Sequence, residues 1–339
     1  MISIIISAIK IIFLLGFLVF IHEGGHFLIA RLCKVKVNEF AIGFGKTVLK
    51  KQGKETLYCL KAIPLGGFVR MEGEEEESNS KGSFSLASIP KRIAIVAAGG
   101  MVNIIFGLIV YLVISICSGQ YITNQVDSIV PDYAANNAGI VQNDRIVKLD
   151  SKKVKTKQDI DKILRKSDGS DILVTIDRNG KILELKIKPT EITSNEKTYY
   201  VLGVNLKYAD PTLKNRLYYG LNDTINFSFS IIDNIKQLFM GNIEKDQLMG
   251  PVGISNVVSK TVGIENYLYV LALVSLSLGV TNLLPFPPLD GGKIVLLLIE
   301  LIRKKPLDKK IDNYIQITGF IILISISIFI TYNDILKIF

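Results

Sequence analysis

The 339-residue sequence predicts a polytopic α-helical membrane protein with about four transmembrane helices, a membrane-associated β-element and one inserted extracytoplasmic α+β domain. Three observations carry this. Four segments, residues 4–30, 93–117, about 266–301 and 312–332, approach the roughly 20 apolar residues needed to cross a hydrocarbon layer about 30 Å thick. The long stretch between the second and third of them is polar and alternates like strands. The third is interrupted by three prolines within four positions, Pro285, Pro287 and Pro288.

The first span carries one charge, Lys10, before it reaches His22-Glu23-Gly24-Gly25-His26, which contains the only two histidines of the chain. A four-residue step on a helix returns to nearly the same face, so both imidazoles can reach one metal ion while Glu23 can reach a water beside it. The spacing is that of a zinc hydrolase, and the apolar flanks place the metal within the bilayer. The apolar core is too long for a signal peptide and no small-residue cleavage site follows it, so this span is expected to be retained.

The loop from Arg31 to Arg92 is rich in lysine and arginine, as is Arg303-Lys304-Lys305-Pro306-Leu307-Asp308-Lys309-Lys310. Such short basic loops stay cytoplasmic, which puts the termini and residues 118–265 outside. Within the first loop, Thr56–Cys59 and Gly67–Met71 read as strands. The sequence Gly43-Phe44-Gly45-Lys46-Thr47 is not a phosphate loop, because Phe40 stands where the first glycine is required, and no nucleotide is expected. The net charge of +9 is drawn largely from membrane-flanking loops. It fits attraction to a lipid bilayer with anionic headgroups, and no nucleic-acid motif is present. Cys33, Cys59 and Cys117 are odd in number and match no disulfide framework or thiolate zinc site.

In the exterior segment, Asp144–Asp150, Asp171–Asp177 and Ile182–Ile187 alternate like strands, with Arg178-Asn179-Gly180-Lys181 as a tight turn. Thr156 and Asp159 are placed to cap a helix carrying Ile160, Ile163 and Leu164. With Gly139 before Ile140, these elements suit a single PDZ-like domain over about 120–206. Residues 213–240 follow in a helical rhythm, with Leu217, Leu221, Ile225, Phe229 and Ile232 near one face. They are expected to lie along the membrane surface within a segment spanning 207–265.

A catalytic zinc takes three protein ligands and an open position, and two histidines leave one ligand to find. Asp290, in Asn282-Leu283-Leu284-Pro285-Phe286-Pro287-Pro288-Leu289-Asp290-Gly291-Gly292, is the best acidic candidate at membrane depth. Broken helix survives there only where it is buried in protein or lines a wet cavity. Asn282 has two readings, a hydrogen-bond donor to a substrate carbonyl or oxyanion and an interhelical hydrogen bond.

Taken together, these motifs resemble the site-2 proteases, the intramembrane zinc metalloproteases, and in particular the bacterial group named for the regulator of sigma-E protease, RseP. The resemblance rests on His22–His26, Ile42–Gly45, Ile63–Met71, Ala98–Asn103, Gly250–Ile254 and Asn282–Gly292, in that order along the chain. It implies Zn2+ held by His22, His26 and Asp290, Glu23 as general base, and cleavage of single-span substrates in or beside the membrane. It also implies a β-element that holds an extended substrate, for which Gly66, Gly67, Phe68, Val69 and Arg70 are the expected edge. The membrane halves would be residues 1–117 and 266–339, in a bacterial cell membrane with the active site towards the cytoplasm. Gly24 and Gly100 depart from the family, which usually has a bulkier residue and a proline there. A catalytically silent membrane adaptor that binds partners through the PDZ-like domain is the alternative, disfavoured because the whole set His22, Glu23, His26 and Asp290 is kept. A metal transporter would want polar residues along several spans, and only one site is visible.

Overall fold

The computed structural model describes residues 2–74, 78–118, 121–194, 197–240 and 250–336. They form two compact units, one of residues 1–114 and 224–339 and the other of residues 115–223. The first begins with α1 (Ile2–Leu32), the strands β1 (Val37–Gln52) and β2 (Leu57–Met71), and α2 (Ile89–Ser118). Among the described residues four helices are long and apolar enough to cross a membrane, Ile5–Leu32, Ile89–Ser118, Ile264–Asn282 and Lys310–Leu336.

The third span differs from the single interrupted crossing expected over 266–301. It ends as a helix at Asn282, and the chain resumes as a separate 14-residue helix, Asp290–Arg303. At 1.5 Å per residue that second piece is about 21 Å long, too short to cross alone. The prolines explain the break, because each removes an N–H from the helical ladder and Pro287 and Pro288 follow closely on Pro285.

Small residues set how closely the membrane helices approach. A side chain at Gly25 would lie 2.7 Å from the Ala98 carbonyl oxygen, so α1 and α2 touch backbone to backbone there, while Gly24 has open space around it. The glycine pair therefore signals close packing at one position only. Gly100 of α2 faces the carbonyl of Gly279, and Gly107 faces that of Ala272. The two contacts step seven residues along each helix in opposite directions, so α2 and the third span pack antiparallel along a seam of small residues. Ser275 adds a hydrogen bond from Oγ to the Asn103 carbonyl, 2.8 Å and buried.

The β-element is longer than the two short strands expected from sequence, because β1 and β2 each bend and pair more than once. Val37 lies opposite Met71 and Ile42 opposite Gly67, while Glu39 also lies opposite Leu57 and Ile42 opposite Leu60. The first half of β1 is thus flanked on both sides by β2. The Gly67–Met71 half of β2 is an edge, and no described strand pairs with its outer side. The bends fall at Gly43, Gly45 and Gly66, all in the left-handed region (φ 86°, 86° and 90°) that favours glycine.

With the elements numbered in chain order, the second unit holds β3 (Ile122–Ile129), α3 (Ala134–Asn137), β4 (Arg145–Leu149), β5 (Lys152–Lys153), α4 (Lys157–Leu164), β6 (Ile172–Arg178) and β7 (Lys181–Ile187). It continues with β8 (Thr190–Ser194), β9 (Lys197–Val201), β10 (Val204–Tyr208) and the start of α5 (Leu213–Phe239). The sheet order is β10-β3-β4-β6-β7, with β5 on β4, and β8–β9 form a separate hairpin. The alternating pattern located β4, β6 and β7. The 178–181 turn has Asn179 and Gly180 at positive φ, as a two-residue hairpin requires. The Thr156–Asp159 capping box is present. Val126, Ile140, Ile146, Leu149, Ile160, Val174 and Ile176 form the core of this PDZ-like domain. α5 is not among the four helices apolar enough to cross a membrane.

Asp144 is buried in this domain and clasped by Arg178, with Nε to Oδ1 and Nη2 to Oδ2 both at 2.8 Å, while the Val141 N–H donates to Oδ2. Burial pushes the Asp144 carboxyl up, but these hydrogen bonds outweigh it and hold the carboxyl below its ordinary range. A carboxyl lowered on folding stabilises the fold above its unfolded value, and that contribution disappears as the pH falls through the folded value. Arg178→Met, which strands the buried charge, is expected to cost about 3 kcal/mol at pH 7. Urea unfolding of the full chain should show the difference from wild type shrinking below about pH 4.

The remaining helices are α6 (Pro251–Lys260), α7 (Ile264–Asn282), α8 (Asp290–Arg303) and α9 (Lys309–Leu336). The ten-residue α6 is held at both ends by charges of the sign that its dipole prefers. The Lys10 ammonium of α1 donates to the Thr261 carbonyl at its C-terminus, 2.9 Å. At its N-terminus the buried Asp334 carboxylate of α9 accepts from the Gly250 and Gly253 N–H groups at 2.9 and 2.8 Å. Lys10, the one charge that the first span carries before His22, is thus a helix cap.

Candidate metal centre

α1 presents His22 and His26 on one face, and the start of α8 presents Asp290 to them from 264 positions further along the chain. The Nε2 atoms of the two imidazoles are 3.2 Å apart. Asp290 Oδ2 lies 3.3 Å from Nε2 of His22 and 3.4 Å from Nε2 of His26. Each imidazole is 12 % exposed and the carboxylate 21 %, so the cluster is shielded but reachable.

Three features of the sequence make this convergence possible. Gly99 of α2 lies over the imidazoles, where a side chain would overlap Nε2 of His26 and stand 2.7 Å from Cε1 of His22. Gly291 and Gly292 let the 283–289 loop fold back onto the first turn of α8, because a side chain on Gly292 would lie 2.6 Å from the Pro287 nitrogen. Gly319 of α9 closes on the same proline from the other side. Asp290 also sits in the first turn of α8, where the helix dipole favours a carboxylate.

The donor set fits one Zn2+. A four-coordinate zinc with bonds of about 2.0–2.1 Å separates neighbouring ligand atoms by about 3.3 Å, the spacing of the three atoms present. Asp290 Oδ2 is buried without a hydrogen-bond partner among the described residues, an acceptor facing two ring nitrogens. With both rings protonated on Nδ1, three lone pairs meet at one point, an arrangement that a cation held between them satisfies. His26 has that tautomer fixed by a 2.8 Å contact of Nδ1 with the Ile95 carbonyl, the outer support common to metal-binding imidazoles.

The other residues expected at the site fall around this cluster. Glu23 lies against Gly67 of β2, where a side chain would come 3.1 Å from the Glu23 Cγ, so the free edge of β2 passes the carboxylate. Phe68 is overlaid by the Lys61 ammonium, 4.4 Å from the ring centroid, and Arg70 pairs with Glu39 at 3.0 Å. Val69 packs inward beside Val37 and Met71. Gly66 leaves room for the Phe44 ring. Asn282 ends α7 with Nδ2 3.5 Å from Nδ1 of His22. Asn103, not expected at the site from sequence, is fully buried with Nδ2 3.3 Å from the same nitrogen. Its signals were a polar side chain in the middle of an apolar span and its place at the end of the Ala98–Asn103 motif.

Four apolar spans, a PDZ-like insertion and a His-His-Asp cluster at membrane depth define a membrane-embedded zinc metalloprotease. Comparison with known proteins places it further. The profile of peptidase family M50 matches residues 10–326, and the chain belongs to that family, the site-2 protease type. The chain is 33% identical over 323 residues to a protein of Clostridium acetobutylicum named as a candidate zinc metalloprotease, covering 94% of each chain. It is 34% identical over 336 residues to a similarly named protein of Fusobacterium nucleatum, covering 96% of this chain and 97% of that one. To the zinc metalloprotease RasP of Geobacillus kaustophilus it is 27% identical over 417 residues, covering 98% of each.

Proposed function

We propose that this protein hydrolyses peptide bonds of single-span membrane proteins or peptides within or beside the bilayer of the bacterial cell membrane. His22, His26 and Asp290 hold the Zn2+, and Glu23 is the general base. The observation that carries this is the triangle of ligand atoms, 3.2, 3.3 and 3.4 Å on a side, with Glu23 one residue from His22. When bound, the ion supplies a Lewis acid that brings the pKa of water towards about 7 and polarises the scissile carbonyl.

The chain's own residues do the rest. Glu23 takes the proton of the attacking water and passes it to the leaving amine. The Asn282 amide, half-buried at the mouth of the 283–289 loop, donates to the oxyanion as charge develops. A peptide bond inside a helix is shielded and internally hydrogen-bonded, so the substrate must be drawn out as a strand before water can attack. The outer edge of Gly66–Arg70 offers the backbone partners for that strand and leads it past Glu23.

The basic loops at 31–92 and 303–310 support an active site towards the cytoplasm and a PDZ-like domain outside. The modules are residues 1–117, 120–206, 207–265 and 266–339; of the third, residues 241–249 lie outside the described residues, and α5 is the part read as lying along the membrane surface. Anti-sigma factor remnants and leftover signal peptides are the substrate classes that suit such a site in regulated intramembrane proteolysis. Membrane peptides from cells expressing the wild type or Glu23→Gln should differ by the accumulation of single-span fragments in the variant. Identical peptide sets would count against the proposal.

A further inference from the structure

His26 and His22 are supported differently on the side away from the metal. A neutral imidazole that offers Nε2 to a cation carries its proton on Nδ1, so Nδ1 needs an acceptor. His26 has one in the Ile95 carbonyl. His22 faces two amide nitrogens, Nδ2 of Asn103 at 3.3 Å and Nδ2 of Asn282 at 3.5 Å. In this orientation donor would meet donor whenever Nε2 of His22 binds a metal. The orientation suits the other tautomer, in which Nε2–H points at Asp290 Oδ2, 3.3 Å away, and Nδ1 accepts from Asn103.

Two observations single out Asn103. Its side chain is fully buried, and its Oδ1 has no hydrogen-bond partner among the described residues, so the contact of Nδ2 with His22 is all that fixes the sense of the amide. Its backbone, by contrast, is pinned by the Ser275 hydroxyl in the small-residue seam between α2 and α7. Half a turn of the amide exchanges Oδ1 and Nδ2, which differ little in shape. It replaces a donor–donor contact by one bond and leaves the NH2 as the unpartnered group in place of Oδ1.

Resting on the metalloprotease reading above, we infer that Asn103 is a positioning residue whose amide turns over with metal loading. It donates Nδ2 to His22 Nδ1 in the metal-free site and presents Oδ1 to His22 Nδ1–H in the loaded one. A carboxylate serves only the second state and a lysine only the first. An amide serves both, which accounts for this residue type in the middle of an apolar helix. Asn282 is left available for the substrate.

The test is zinc affinity of the full chain in detergent, measured by competition with a chelator of known strength. Asn103→Leu, similar in volume and without an acceptor, should bind zinc about 10- to 100-fold more weakly than wild type, the usual cost of losing an outer partner of a metal-bound imidazole. The increment that zinc adds to its thermal midpoint should shrink relative to wild type, over and above any change in the zinc-free midpoint from the lost Nδ2 bond. Asn103→Asp, which keeps the acceptor, should bind zinc at least as tightly as wild type. Because the chain has only two histidines, 15N-histidine labelling gives four ring-nitrogen signals. In wild type, the protonated nitrogen of His22 should change from Nε2 to Nδ1 on adding zinc, an observation that needs no variant. Equal zinc affinity for wild type and Asn103→Leu, or a His22 that binds zinc through Nδ1, would overturn the inference while leaving the protease reading intact. Absence of stoichiometric zinc from wild type would overturn both.

Discussion

Glu23→Gln is expected to lower peptide-bond hydrolysis by about 10²- to 10⁴-fold or more, the range in which a positioned acid–base group contributes, while leaving zinc in place. Glutamine keeps the shape that passes Gly67 at the β2 edge and keeps the face of α1 that carries the imidazoles, so the fold has no reason to change. What it loses is the ability to hold a proton between the attack of water and the departure of the amine. Purified protein reconstituted with a single-span peptide, together with a metal analysis of the same sample, checks both halves. Cleavage within tenfold of wild type would remove Glu23 from the base role.

Asp290→Ala acts on the other half of the site, and its expected effect is loss of stoichiometric zinc together with all hydrolysis. The two imidazoles remain in place on α1, supported by the Ile95 carbonyl and by the Asn103 amide. Two neutral nitrogens alone neutralise none of the ion's charge and leave half of a tetrahedral shell open. The seat of α8 is made by Gly291 and Gly292 against the proline loop, so helix content should be retained. Mass spectrometry of metal content in the purified variant decides the matter, and a full equivalent of zinc would require a different third ligand.

Much of this architecture was legible before any coordinates, because the signals were local. Apolar length gave the spans, four-residue spacing gave the imidazole face, and Thr156, Asp159, Asn179 and Gly180 marked a helix start and a turn through backbone chemistry confined to a few residues. The bends of the β-element were less accessible. Strand alternation identifies a strand but not that one half of β1 is flanked by both halves of β2, which is decided by where Gly43, Gly45 and Gly66 let the backbone turn. The helix break at Asn282 was visible in the prolines, but not that the remainder becomes a separate short helix. Asn103 illustrates the limit most clearly. Its partner lies 81 positions away, and no periodicity links a polar residue in one apolar helix to a ring on another.

The short helix between Lys10 and Asp334 ties residues 324 positions apart to the two ends of one rigid strut. Drawing the first and last helices apart at that level would strip an ammonium and a buried carboxylate of their partners at once, where little water is present to replace them. Displacing either helix therefore deprives α6 of its charged partner at one end.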